Sequence, residues 1–312
     1  MTKRRLSVII LTKDSAATIG KCLESVIDQS ILPNEIIVID GGSKDGTLAL
    51  LRRFPVRVYR ESSRSIGHAR NLGVKKAEGE IVFFIDSDCY AERDWVKNML
   101  PHFDQPGVAG VAGRIVRWDP ESVLARYQSA FMTPPENRTL VRRVPMCNTA
   151  LRKEAILSVG GFDETLAWSE DLDLLHRITR NHPIVYENEA VVHHKVPETF
   201  SEFFRKRVQA AISGGELFAK YGFEFGVPRS FTYSAGFLLC TTILIFTALY
   251  HPPLLGPLVS LAFLLTALQI LRLYSKSREK AVVLFPIVAL VLCIAYLNFF
   301  RGLAGRLLQK PE

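Results

Sequence analysis

Residues 81–88 read Ile-Val-Phe-Phe-Ile-Asp-Ser-Asp, and no other stretch constrains the fold as much. Five apolar residues without a break predict a strand covered on both faces, as in a parallel sheet flanked by helices. The run stops on two carboxylates one residue apart, which alternation along an extended chain puts on the same side. In open parallel sheets the ligand crevice lies beyond the carboxyl ends of the strands, so Asp86 and Asp88 are expected at the mouth of a binding site. Such a pair can share a hard cation, Mg²⁺ or Mn²⁺, that keeps positions open for substrate phosphates. An acidic turn closing a strand is the simpler account of a lone Asp-x-Asp, so the rest of the chain has to decide.

Upstream, residues 6–11 predict a first buried strand and Thr12-Lys13-Asp14-Ser15 a strand-to-helix loop. Residues 17–29 then carry Ile19, Leu23, Val26 and Ile27 at helical spacing, and 36–39 form a second strand ending on Asp40. Strand, helix and strand at this spacing make a right-handed crossover. Gly41-Gly42-Ser43-Lys44-Asp45-Gly46-Thr47 follows; it is either an ordinary glycine-rich turn or a loop whose backbone meets a ligand closely. A third strand over 56–59 and a helix over 66–77, containing Arg70 and Asn71, complete a βαβαβαβ half of nucleotide-binding type. Neither the phosphate-loop pattern Gly-x-x-x-x-Gly-Lys-Ser/Thr nor the dinucleotide pattern Gly-x-Gly-x-x-Gly is completed.

The middle is mixed. Helices are expected over 95–103 and 122–132, strand material over 108–118, and a loop at Pro134-Pro135-Glu136-Asn137. Gly160-Gly161-Phe162-Asp163-Glu164 precedes Trp168-Ser169-Glu170-Asp171-Leu172-Asp173, which opens a helix running to about residue 179. Acids in a first turn suit the helix dipole, which would by itself explain these three. A last strand over 184–192 ends in His193-His194-Lys195, a pair that is either structural or ligating. Phe200, Phe203, Phe204, Val208, Ala211 and Ile212 then share one helical face opposite Glu202, Arg205, Lys206 and Gln209, so this helix lies in a lipid interface or packs on the head.

The net charge of +8 gathers at Lys3-Arg4-Arg5, Arg205-Lys206-Arg207 and between 272 and 280. No nucleic-acid-binding signature accompanies these clusters, so a membrane surface is the expected partner and nucleic acid is not. The five cysteines show neither metal spacing nor a disulfide framework, which suits a reducing compartment. The 48% apolar fraction is concentrated after residue 231, in runs at 231–250, 254–271 and 281–300, each close to the length of a bilayer crossing. Arg272, Lys276, Arg278 and Lys280 mark the second connection as cytoplasmic, although a third crossing puts Arg301, Arg306 and Lys310 outside, against that trend. The apolar run 6–11 is too short for a signal-peptide core, so the head is expected to stay in the cytoplasm. The expected division is a catalytic head over 1–198, a juxtamembrane segment over 199–228 and a multi-pass membrane part over 229–312.

Taken in order, residues 7–14, 35–47, Ala69-Arg70-Asn71-Leu72-Gly73, Asp86-Ser87-Asp88, Gly160-Gly161-Phe162-Asp163-Glu164 and Glu170-Asp171-Leu172-Asp173-Leu174 make the chain resemble the family 2 inverting glycosyltransferases of GT-A fold, across about 7–215. That resemblance implies a mostly parallel α/β fold, a UDP- or GDP-linked sugar donor and a Mn²⁺ or Mg²⁺ cofactor. It implies donor contacts at Thr12, Asp14, Asp40, Arg70, Asn71 and Asp86, metal ligation by Asp88, Asp86 and His193, and a catalytic base at Asp171. Glu170, His194 and Arg207 are second-rank candidates. The chain departs from the family at Asp14, where Asn is frequent, and at Gly41, where Asp is frequent; it also lacks Gln-x-x-Arg-Trp after His194, which favours addition of one sugar over polymerisation.

The chemistry suits these residues. Charge grows on a leaving nucleoside diphosphate, where a divalent cation stabilises it, and a carboxylate on the opposite face of the sugar can take the acceptor's proton. The apolar tail suggests a lipid-linked polyprenyl or dolichyl acceptor, met at high effective concentration at a membrane, with Arg205, Lys206 or Arg207 near its phosphate. The alternatives are a polyprenyl-phosphate monosaccharide synthase, a metal-dependent nucleotidyltransferase and an inactive sugar-nucleotide-binding module; retention of Asp86, Asp88, Glu170 and Asp171 speaks against the last.

Overall fold

The computed structural model of the chain describes residues 4–61, 65–118, 122–129, 140–141, 144–197, 199–225, 229–251, scattered positions between 253 and 294, and 298–308. It divides into two compact units, Met1–Asp119 with Thr133–Lys195, and Pro120–Met132 with Val196–Glu312. Of the expected head over 1–198, residues 120–132 and 196–198 fall in the second unit.

The first unit is built on one eight-stranded sheet. Its strands are β1 (Leu6–Thr12), β2 (Glu35–Asp40), β3 (Arg57–Arg60), β4 (Ile81–Asp86), β5 (Cys89–Ala91), β6 (Gly110–Arg117), β7 (Thr149–Arg152) and β8 (Ile184–His194), in the order β3-β2-β1-β4-β7-β6-β8-β5. The β1–β2, β1–β4, β2–β3 and β6–β8 pairs are parallel, while β7 runs antiparallel to β4 and β6, and β5 antiparallel to β8. This is the mostly parallel α/β sheet expected from the buried apolar runs. The strands β5 and β7 are additions that the sequence pattern did not announce, because three or four residues are too few to display a period.

Helices cover both faces, which is why the central residues of β1, β2 and β4 are apolar on both sides. Alternate residues feed two cores: Val8, Ile10, Phe83 and Ile85 join Cys22, Leu23, Val26 and Trp95 on one face, while Ile9, Val82 and Phe84 join Val74, Ile156, Leu174, Leu175 and Ile178 on the other. The first face is supplied by α1 (Ile19–Ile27) and α4 (Trp95–Met99), and the second by α3 (Ile66–Lys76), α6 (Lys153–Ser158) and α7 (Glu170–Ile178); α2 (Thr47–Leu51) follows the glycine turn. The helix expected over 95–103 tightens into a 3-10 turn at Leu100–Asp104, where Pro101 cannot donate to the helical ladder.

The second unit contains α5 (Val123–Ser129), α8 (Phe200–Tyr221), α9 (Arg229–Tyr250) and a last described helix, Phe299–Leu308. Thr199 caps α8 by accepting from the Glu202 N–H at 3.2 Å. The helix Phe299–Leu308 crosses α8 with backbones touching: a Cβ on Gly302 would lie 1.8 Å from the Ile212 carbonyl oxygen and one on Gly215 2.1 Å from that of Phe299. Among the described residues no helix is long and apolar enough to cross a membrane. The expected spans at 254–271 and 281–300 fall largely outside the described residues, and the expected span 231–250 lies within α9, where Leu239, Ile245, Phe246 and Leu249 are exposed.

Candidate active site

The carboxyl ends of β1, β2 and β4 lie side by side, with Thr12 in register with Asp40 and Leu11 with Asp86. Asp40 is fully buried, and its carboxylate accepts from the N–H of Gly42 at 3.1 Å and of Ser43 at 3.2 Å. Asp14, in the left-handed region at φ 48°, accepts from the Lys44 N–H at 2.7 Å and donates its own N–H to Ser43 Oγ at 2.9 Å. These two expected donor contacts are thus engaged in lacing the first loop to the glycine turn. Thr12 differs: its Oγ1 is buried and has no hydrogen-bond partner, so a hydroxyl stands free at the floor of this edge.

Arg70 and Asn71 reach the site from α3. Arg70 is buried; its guanidinium closes on the Glu170 carboxylate, stands 3.9 Å from Asp86 Oδ1 and lies over the Phe162 ring at 5.6 Å. No local pattern announces this pairing across 100 residues. Asn71 is consumed elsewhere. Its Oδ1 accepts from the Phe162 N–H at 2.8 Å, and its Nδ2 donates to the Phe162 carbonyl and to Glu164 Oε1, each at 2.9 Å. The Asn71 side chain, expected to meet the donor, staples the loop that leads to α7. Gly161 in that loop has φ 76°, and a Cβ there would also stand 2.7 Å from Asn71 Oδ1, so the staple needs glycine twice over.

At the start of α7, Glu170 is buried, Asp171 is half-buried with Oδ1 accepting from the Leu172 N–H at 2.8 Å, and Asp173 is buried against Arg177 at 2.6 Å. Arg177 in turn donates to the carbonyl of Gly161 at 2.7 Å, tying helix and loop together. Burial pushes Glu170 up to about 7, opposed by Arg70 and assisted by Asp171 and Asp86. Although the Asp86 side chain keeps 38% of its surface, desolvation raises it too, against the pull of Arg70 and with help from the nearby Asp88 charge. The Cys147 thiol is lowered by its hydrogen bond with the Cys89 thiol but raised on balance by its burial and by Asp86, Asp88 and Asp171. Carboxylates from β4 and from α7 therefore lie close enough to influence one another, with Arg70 between them.

Asp88 meets β8. The antiparallel register sets Cys89 opposite His194 and Tyr90 opposite His193, and the Lys195 N–H donates to the Asp88 carbonyl at 3.0 Å. His194 Nε2 is 3.5 Å from Asp88 Oδ1. His193 faces away, stacked on Tyr90 with centroids 4.4 Å apart and Nε2 bonded to Glu92 Oε1 at 3.1 Å. Neighbours on a strand point to opposite sides, so only one histidine can turn to Asp88, and it is the second-rank candidate. An Asp88 oxygen, the Cys89 sulfur and a His194 nitrogen all lie within 4.8 Å of one another. The Asp88 carboxylate and the His194 imidazole are donors that suit Mn²⁺ or Mg²⁺, and the imidazole tilts the fit toward Mn²⁺. Ser87, between the acids, pairs with Ser15 Oγ at 3.0 Å and anchors the strand tip to the loop after β1. Arg207 belongs to the second unit, its guanidinium over the Phe203 ring at 5.3 Å.

Residues 7–159 match the model of the family described as "Glycosyl transferase family 2". The chain is 31% identical over 206 residues to the Pre-mycofactocin glycosyltransferase of Mycobacterium tuberculosis, a match covering 61% of this chain and 43% of that protein. It is 23% identical over 328 residues to a dolichyl N-acetyl-alpha-D-glucosaminyl phosphate 3-beta-D-2,3-diacetamido-2,3-dideoxy-beta-D-glucuronosyltransferase of Methanococcus voltae, covering 96% of this chain and 97% of that one. In fold it is similar to the mannosyltransferase PcManGT of Pyrobaculum calidifontis, solved with GDP-Man and Mn²⁺, at a TM-score of 0.70 and 19% identity over 99% of this chain and 89% of that chain. Residues 7–159, just under half of the chain, thus carry the match to the family 2 glycosyltransferases, and Asp86 and Asp88 stand within that stretch.

Proposed function

We propose that the chain transfers one sugar from a nucleotide-linked donor to an acceptor hydroxyl with inversion at the anomeric carbon, and that the acceptor is lipid-linked. The observation that carries this reading is the buried Arg70 guanidinium, which closes on Glu170, the residue before Asp171 at the start of α7, while standing 3.9 Å from Asp86 at the tip of β4. A donor lying between the two ends presents its diphosphate to the tip of β4 and its far sugar face to the start of α7.

Asp88 and His194 would hold the divalent cation, which when bound supplies positive charge to the departing diphosphate. Asp86, restrained by Arg70, orients the donor from the ribose side, and the free Thr12 hydroxyl offers it a hydrogen bond at the floor. The acceptor oxygen forms a bond to the anomeric carbon as the bond from that carbon to the diphosphate breaks. The proton on the acceptor passes to the Asp171 carboxylate. The lipid-linked acceptor draws support from the Methanococcus voltae relative, whose name specifies a dolichyl phosphate-linked one. It is also supported by the exposed Leu238, Leu239, Ile243, Leu244, Ile245 and Phe246 of α9, which would favour a lipid surface over water.

The deciding experiment incubates the purified full chain with UDP- and GDP-sugars, Mn²⁺ and a polyprenyl-diphosphate-linked sugar, and follows nucleoside diphosphate release and product anomer by NMR. Inverted product and a loss of roughly 10²-fold or more in kcat for Asp171→Asn support the reading. Pyrophosphate as the released product, or undiminished transfer by Asp171→Asn, would sink it. Flotation of the chain with liposomes tests the membrane association separately.

A further inference from the structure

Asp88 precedes β5, a three-residue strand at the edge of the sheet with β8 as its neighbouring strand and its Ala91 N–H donated to Ser25 Oγ of α1 at 3.0 Å. So short an edge ladder is a weak device for fixing two ligand atoms at a set spacing. The side chains around it do more. Tyr90 and His193 are directly opposed in the ladder and stack within 2° of parallel, and His193 is held from its far end by Glu92. The Lys21 ammonium of α1 sits 4.0 Å over the Tyr90 ring and 4.4 Å over that of Trp118, whose edge meets Tyr90 at 5.1 Å. The Trp118 N–H donates to the His194 carbonyl at 3.0 Å.

With an imidazole stacked on it and an ammonium over it, the Tyr90 ring has no face left for a bound sugar, so this cluster does not act as a stacking platform for substrate. We infer that Lys21, Tyr90, Trp118, His193 and Glu92 form a brace that holds the β5–β8 ends at the spacing that lets Asp88 and His194 share a divalent cation. The brace touches neither cation nor substrate; its members are positioning residues, acting through the backbone of the two strands. Tyr90 contributes a ring, and the stack needs no hydroxyl. Lys21 extends the hold to α1, so the edge strand is fixed from a helix as well as from β8. Outer groups that orient metal ligands commonly matter to affinity by roughly tenfold or more when removed.

This inference rests on the cation site proposed above, and the test separates the two. Mn²⁺ affinity of the full chain without donor is measured by electron paramagnetic resonance for wild type, Asp88→Ala, Tyr90→Ala, Tyr90→Phe and Lys21→Met, with urea unfolding of each. Tyr90→Ala is expected to bind Mn²⁺ about tenfold more weakly, Tyr90→Phe within about twofold of wild type, and Lys21→Met in between. Wild-type affinity in folded Tyr90→Ala overturns the brace and leaves the cation site standing. Failure of Tyr90→Phe to restore affinity also overturns it, because the ring would not be the cause. Wild-type protein that binds no Mn²⁺ removes the cation site, and the brace with it.

Discussion

The Arg70 guanidinium is closed on Glu170 while standing 3.9 Å from Asp86, so one buried cation joins the strand that ends at the acidic tip to the helix that carries Asp171. Both partners are almost without water: the side chains of Arg70 and Glu170 are 9% and 4% exposed. A pair so deeply placed is costly to break from one side, because the surviving charge has neither solvent nor partner.

Arg70→Met is therefore expected to destabilise the chain by about 3 kcal/mol or more, read as a lowered midpoint in urea. Arg70→Lys restores the charge and loses the fork that reaches both acids, so it should recover stability in part and donor turnover less. Equal recovery of both would mean that the link to Asp86 has no part in turnover.

The pH dependence follows from Glu170, whose carboxyl is lifted from 4.5 to about 7, chiefly by burial. The folded state thus holds a proton that the unfolded state releases between those values, and stability falls as pH rises across that interval. The contribution is complete below pH 4.5 and gone above about 7, amounting to roughly 3 kcal/mol if the shift is fully realised. Unfolding free energies of wild type and Glu170→Gln, compared from pH 5 to 8, should converge or cross as pH rises, with wild type losing ground. A difference independent of pH would show that Glu170 stays ionised beside Arg70 throughout.

The two histidines at the end of β8 give opposite expectations. His194→Ala removes the atom 3.5 Å from Asp88 and should weaken Mn²⁺ binding by at least about tenfold. His193→Phe keeps an aromatic ring on Tyr90 and should stay within a few-fold of wild type. Titration with Mn²⁺ by calorimetry separates them, and the reverse ranking would restore His193 as the ligand.

The difference between these neighbours marks what the sequence could and could not convey. The buried run 81–85 and its acids were legible because five apolar residues and a change of composition are local facts, and β4 covers Ile81–Asp86. Which histidine turns to Asp88 depends on the register of β5 against β8, set by a strand of three residues with no period of its own. The Arg70–Glu170 pair was hidden for the related reason that it joins positions 100 residues apart, and Asn71 looked like a ligand contact because nothing local shows that Phe162 and Glu164 come to meet it. The three buried cysteines Cys22, Cys89 and Cys147 likewise converge on the acidic tip only through the fold.

Asn71 supplies the last expectation, since its neighbour Arg70 and its place on α3 suggest a donor contact while its amide is spent on a loop. Three hydrogen bonds of 2.8 to 2.9 Å pin Phe162 and Glu164, and the loop they hold runs directly into Ser169, in the left-handed region at φ 61°, and Glu170. Asn71→Ala should lower stability by roughly 2 kcal/mol, at about 1 kcal/mol per bond with some recovered by water at this half-buried position. Because the loop positions Asp171 and not the nucleotide, kcat is expected to fall while the KM for the donor changes little. Asn71→Asp keeps the oxygen that accepts from the Phe162 N–H but sets a carboxylate oxygen against the Phe162 carbonyl and Glu164, so it should be no more stable than Asn71→Ala. A rise in donor KM with kcat and stability intact would return Asn71 to the donor site.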